Sequence, residues 1–318
     1  MRKFLAAALF VGLSTFAALA QSQQAPTLRI VSEDGNRLPS DLMYGNTKVK
    51  PLRLRPGTNV PITIDDSDFF VQQQYVDFLS RFPDQSGFGF WQDQINSCSP
   101  KPACVEVSRV NTSGAFFLSI EFRETGYFVY KTYKAAFGNI SASVPVPVRR
   151  ENFMPETRGI ANGVVVGVGT WQQQLLDNKI AYARAFAQRA DFVAKYPTSL
   201  SASAYVDSLF ATAGVTPTSA EHDAAVNAFN NAGGGTNGRG EALRSVVESS
   251  TLDQSEVRKA FVLLQYFGYL KRNPDDLPDT NFAGYNFWLQ KLNDNGGNFI
   301  QAEMVKAFIN SNEYRARF

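Results

Sequence analysis

The chain has 318 residues, 44% apolar and 13% aromatic, ample for one or two packed domains and unlike a disordered tail. Its 31 basic residues are scattered among 29 acidic ones, without the clustered cations that displace counterions from a phosphate backbone, which discounts nucleic acid and anionic lipid as partners. A single histidine and two cysteines leave little for histidine-rich metal sites or imidazole-based triads.

The first residues, MRKFLAAALFVGLSTFAALAQSQQ, set two cations before an apolar run from Phe4 to Ala20, with small residues at Ala18 and Ala20. This pattern predicts a secretory signal peptide over residues 1–20, cleaved after Ala20. No later stretch approaches the ~20 apolar residues of a membrane span. The expected mature protein has no membrane span, is periplasmic, cell-surface or extracellular, and carries no net charge once Arg2 and Lys3 are removed.

Residues 21–65 alternate at period two in LRIV, KPLRL and VPITI, but Pro51 and Pro61 interrupt them. They predict a short extended arm lying on the helices rather than an independent sheet. From Phe70 the apolar residues Val71, Tyr75, Phe78 and Leu79 fall on one helix face, with Asp66, Ser67 or Asp68 as cap and Ile64 as staple. Pro83 and Asp84 end that helix and open another, carrying Phe88, Trp91 and Ile95. Cys98 and Cys104 follow in the loop NSCSPKPACVE, where an exported chain is expected to join them. A third helix is predicted over SGAFFLSIEFRE, residues 113–124.

The C-terminus repeats this order. Phe70, Val71, Tyr75, Leu79, Arg81, Pro83 and Asp84 match Phe261, Val262, Tyr266, Leu270, Arg272, Pro274 and Asp275. After an insertion, Gly87, Phe90, Trp91 and Asn96 match Gly284, Phe287, Trp288 and Asn293, and AFFLSIEFR (115–123) matches AFINSNEYR (307–315). Two eroded copies lie between, giving an all-α chain of tandem three-helix units over residues 66–126, 127–196 with an insertion at 140–166, 197–255 and 256–318. Trp91, Trp171 and Trp288 fall on the apolar faces of equivalent helices and are expected as core anchors. Arg81 with Glu121, and Arg272 with Glu313, recur together and are expected as ion pairs within their units.

The phrase FVQQQYVDFLSRFPDQSGFGFW with its tail SIEF resembles the Domain of Unknown Function 4214 family of bacterial exported proteins, itself similar to the helical linker domains of phycobilisomes. The resemblance covers residues 69–123 and 260–318, and reaches 128–252 only through the eroded copies. It implies an all-helical unit acting in assembly or binding, with no established catalytic residues to carry over; the linker domains' pigment-protein partners are not implied, because nothing in the sequence marks a photosynthetic context.

The remaining candidates for chemistry are weak. GVVVGVG (163–169) lacks the Lys-Ser/Thr of a phosphate loop and reads as an extended insertion. Asp275, Asp276, Asp279 and Asn281 do not follow the calcium-loop spacing and read as helix caps. Tyr127, Tyr130 and Tyr133 are candidates for exposure, and His222 is expected on a helix surface. The expectation is a non-catalytic interaction or structural module of the cell envelope or extracellular space, with no cofactor or metal, whose partner is a protein or a surface glycan. The alternative is a secreted carbohydrate-active enzyme using paired carboxylates, whose positions spacing does not reveal.

Overall fold

A computed structural model of the chain describes residues 28–32 and 40–318. The expected signal peptide, residues 1–20, lies outside the described residues. Strands β1 (Leu28–Ser32), β2 (Ser40–Tyr44) and β3 (Thr47–Val49) form a three-stranded antiparallel sheet, with Ile30 opposite Leu42 and Leu42 opposite Val49. The extended arm therefore contains a small sheet, in place of the isolated extended segments expected from its prolines. Of the three alternating segments only LRIV is a strand. KPLRL and VPITI meet through one isolated bridge, Leu54 to Pro61, because a proline has no N–H to extend a ladder. The segment after β3 is held against the first helix by Arg55, which pairs with Asp66 and Asp68 at 2.8 Å each, and by Arg53, 4.9 Å over the Phe69 ring.

From Ser67 onward the structure is all-α. Helix α1 (Ser67–Gln74) runs into a π-helical turn, Tyr75–Leu79, and stops at Ser80 in the left-handed region. Helix α2 (Gln85–Asn96) starts where the Asp84 carboxylate accepts the Gly87 amide at 2.8 Å. Helix α3 (Pro102–Leu118) begins well before Ser113, because Pro102 is preorganised for a first turn; Cys104 is therefore helical, not in a loop. Ser119 breaks the line and caps α4 (Ile120–Glu124), accepting the Phe122 amide at 3.2 Å.

Helix α5 (Gly126–Phe137) is buried at every position from Gly126 to Ala136. The three tyrosines offered as candidates for exposure are thus interior, each with its hydroxyl satisfied: Tyr127 on the Asp253 carbonyl at 2.7 Å, Tyr130 on Glu256 at 2.9 Å and Tyr133 on Glu156 at 2.7 Å. A tyrosine is fully buried at little cost when its hydroxyl finds an acceptor. Burial first, and neighbouring carboxylates second, push all three phenols well above their ordinary pKa.

Helices α6 (Arg150–Ala161), α9 (Ala202–Ala213) and α11 (Gly235–Val247) pack on α5; α7 (Trp171–Phe186) lies on α6 and α11, α8 (Ala190–Lys195) follows it, and α10 (Ser219–Asn231) lies on α9 and α11. Helix α6 falls inside the expected insertion and carries Pro155 in its interior, the residue that hides it from a helix reading. At the end of the unit expected over 197–255, residues 246–252 are not one helix but straddle the junction of α11 with α12 (Ser250–Gln265). Helix α11 packs closely on α7 because Gly240 has no side chain: a Cβ there would stand 2.8 Å from the Arg184 Cα.

The C-terminal elements begin, like the first ones, with a helix that ends in a π-helical turn. Helix α12 passes into a π-helical turn, Tyr266–Leu270, ending at a left-handed Lys271. Helices α13 (Ala283–Asp294), α14 (Met304–Asn310) and α15 (Asn312–Arg315) follow, the last capped by Ser311 accepting the Tyr314 amide at 3.1 Å.

Candidate functional site

The residues singled out by the repeated phrase form the same contacts twice. Arg81 donates through Nε and Nη2 to the two carboxylate oxygens of Glu121 at 2.7 and 2.8 Å, and Arg272 does so to Glu313 at 2.6 and 3.1 Å. Each guanidinium also covers a tyrosine ring, Tyr75 at 5.0 Å and Tyr266 at 5.4 Å. Burial alone would lower both arginine pKa values; the facing carboxylates outweigh it and hold them above the ordinary value. One match is displaced. The sequence sets Asp275 against Asp84, but Asp84 approaches Arg81 at 3.5 Å while its role beside Arg272 is taken by Asp279 at 2.8 Å. Asp275 and Asp276 turn outward to Arg149 at 2.7 and 2.6 Å, so this acidic run is neutralised by arginines.

The tryptophans are not the buried anchors expected. Trp91, Trp171 and Trp288 are half-buried and pack against the core from its edge. Trp91 leans on Phe116 at 5.6 Å and Trp288 on Phe308 at 5.8 Å, while each also meets a largely exposed neighbour, Phe90 at 4.9 Å and Phe287 at 5.0 Å. The indole is too large to be enclosed by a helix whose other face borders solvent. Cys98 and Cys104 are at disulfide distance, Cα to Cα 5.2 Å, tying the end of α2 to the first turn of α3.

The first and last stretches also pack on each other. Phe78 and Tyr269, which occupy matched positions in the sequence, stack edge to face at 5.0 Å. Gly268 makes room, since a Cβ there would stand 2.6 Å from the Phe78 ring. Beside this contact the Asp77 carboxylate, fully buried, is gripped by Arg317 at 2.8 and 2.9 Å and by Lys271 at 3.0 Å. Burial would raise the Asp77 pKa, but the two cations hold it below the ordinary carboxylate value.

Along the seam of the two stretches runs a groove of about 570 Å³. Phe117 and Leu118 of α3 form one wall; Val257 and Phe261 of α12 and Phe299 and Ile300 before α14 form the other. The rings interlock, with Phe117 to Phe261 at 4.3 Å and Phe261 to Phe299 at 5.6 Å. Arg258 is the one ionisable residue among those lining it, and it is held by the Gly296 carbonyl at 2.9 Å.

A second cleft, of about 450 Å³ beside α10 and α11, brings two carboxylates together, Glu221 and Glu248. Glu221 accepts from the hydroxyls of Thr218, Ser250 and Thr251 and from the amides of Thr218 and Thr251. Burial opposes ionisation there, but these donors outweigh it and lower its pKa to about 2. Glu248 is paired with Lys179 at 3.0 Å and Arg244 at 2.5 Å. Both are structural anions in this arrangement. His222, on α10, is half-buried with Nε2 3.2 Å from Asp207 and 3.5 Å from the Ser203 hydroxyl, and Nδ1 3.3 Å from Asp223. Nε2 thus faces both the Asp207 carboxylate and the Ser203 hydroxyl, with the carboxylate the nearer of the two.

Among the described residues no helix is long and apolar enough to cross a membrane, and no cluster of three or more histidine, cysteine or acidic residues could hold a metal. No protein-family model matches the chain, and no curated protein or solved structure is significantly similar to it.

Proposed function

We propose that this is an exported, non-catalytic interaction module of the cell envelope or extracellular space, built on a duplicated three-helix unit that resembles the Domain of Unknown Function 4214 family. The observation that carries this reading is the seam groove: its walls are aromatic and aliphatic, and its one ionisable side chain is already bonded to the protein. Such a surface can take up an apolar segment of a partner and offers no acid-base pair to a substrate. The signal-like first residues and the cysteine pair support an oxidising, exported setting. The recurrence of ion pair, cap and edge-set tryptophan in both stretches supports a packing role for the phrase, with binding assigned to the groove between them.

The test is capture from the envelope fraction, and from a panel of surface polysaccharides, by the mature protein and by a Leu118→Asp/Ile300→Asp variant. Both positions are about half exposed at the groove edge, so the fold should survive. A partner retained by the wild type and weakened roughly tenfold or more in the variant supports the reading. Equal capture by both proteins, or hydrolysis of a panel member by the wild type, would overturn it.

A further inference from the structure

Away from the seam, the loop between α10 and α11, AFNNAGGGTNGRG, leads into a different kind of site. Three successive glycines, Gly233, Gly234 and Gly235, take positive φ and deliver the chain into α11. The first intrahelical bond is Gly238 N to Gly234 O at 2.8 Å, and no side chain caps the helix, so the amides of Gly235, Thr236 and Asn237 precede any helical acceptor. A helix start of this kind presents N–H groups and a partial positive charge to an anion.

A second, independent feature lies in the same place. Arg239 is only 4% exposed, and its Nε is buried with no hydrogen-bond partner. Its two other nitrogens donate to the carbonyls of Tyr196 at 2.5 Å and Pro197 at 3.4 Å, and the guanidinium lies 4.4 Å over the Tyr205 ring. Among the described residues no carboxylate pairs with it, whereas the comparably buried Arg109 has Asp65 at 3.3 Å. A buried cation left without an anion is costly. Arg239 lines a cavity of about 340 Å³ together with Gly235, Thr236, Gln188, Thr198 and Phe229, and no acidic residue is among those that line it.

We infer that this cavity binds a small phosphate-bearing anion, with the phosphate at the amides of Gly235 and Thr236 and within reach of Arg239, and any organic part against Phe229. The glycines allow close approach, the helix start and guanidinium supply charge-assisted donors, and the Thr236 and Thr198 hydroxyls complete the polar wall. Free phosphate and a phosphate monoester share this chemistry.

The experiment titrates inorganic phosphate and, separately, glycerol phosphate into the full chain at constant ionic strength, read by calorimetry and by phosphorus NMR line width. Saturable one-to-one binding is expected. Stronger binding of glycerol phosphate identifies a monoester as the ligand, and equal binding identifies the free anion. Arg239→Gln should weaken binding roughly tenfold or more, the loss of a charged hydrogen-bond donor. Because Arg239 is buried, the decisive variant is Thr236→Glu: Thr236 is exposed in the first turn, where an acid suits the helix dipole, and the new carboxylate should occupy the site and abolish binding. Absence of saturable binding to the wild type, or binding by Thr236→Glu equal to wild type, would overturn the assignment.

Discussion

The first and last helical stretches carry the same bonds in different surroundings. In the first, Glu121 is 6% exposed, because α4 is overlaid by the chain continuing into α5; in the last, Glu313 is 35% exposed, on the short α15 at the edge of the fold. Arg81 depends chiefly on one carboxylate, whereas Arg272 divides its donors between Glu313 and Asp279. Repetition of geometry therefore does not mean repetition of energy, since an ion pair is worth what its burial and its alternatives allow.

The sharpest departure from equivalence is Asp77, whose matched position in the last stretch is Gly268. Asp77→Ala would leave Arg317 and Lys271 facing a buried void and should cost about 3–5 kcal/mol in urea unfolding. The pH dependence follows from its lowered pKa. The stabilising contribution is complete above the ordinary aspartate value of ~3.9 and is lost as pH falls through the lower folded value. Acid unfolding of Asp77→Asn should accordingly be shallower than that of the wild type below about pH 4. Equal slopes would mean that the seam is held by its rings alone.

The cysteine pair is a second asymmetry, since the last stretch has no counterpart. Replacing Cys98 and Cys104 by serine should cost about 2 kcal/mol, by releasing a short loop in the unfolded chain. Reductant should lower the melting temperature of the wild type and leave the double variant unchanged, and labelling of the unreduced protein should find no free thiol.

The paired double-mutant cycles come next in size. Coupling between Arg81 and Glu121 should be about 1–3 kcal/mol, and that between Arg272 and Glu313 under about 1 kcal/mol, because Glu313 is more exposed and Asp279 remains to Arg272. Equal coupling in the two cycles would show that exposure is not what separates the stretches.

What the sequence disclosed, and what it hid, follows the reach of each signal. The helices of the repeated phrase were legible because apolar spacing, caps and proline stops are local, and the two ion pairs were legible because the same residue types returned together. Asp279 was hidden because an insertion moves a role along the chain without moving the residue letter that aligns. The α5 tyrosines were misread because their acceptors, Asp253, Glu256 and Glu156, are distant in sequence. The Arg239 site was invisible for the same reason: the Tyr196 and Pro197 carbonyls that hold the guanidinium come to α11 from distant sequence. The groove could not be read at all, since it exists only where the two ends of the helical chain pack together.

The smallest expected effect concerns the surface aromatics. Phe90 and Phe287 hold matched positions and are 55% and 59% exposed, each touching its tryptophan from the solvent side. Buried area alone gives little reason for a phenyl ring at either place, so Phe90→Ser and Phe287→Ser should each change stability by less than about 0.5 kcal/mol. A loss above about 1 kcal/mol at one site but not the other would place that ring in the packing of its stretch and extend the energetic asymmetry from charges to rings. If both variants keep full stability, the comparison tightens, because the two stretches then share a pair of rings that folding does not require. Capture measured with the double variant decides their use: a partner held less well would widen the binding surface from the groove onto α2 and α13, whereas unchanged capture would confine it to the seam.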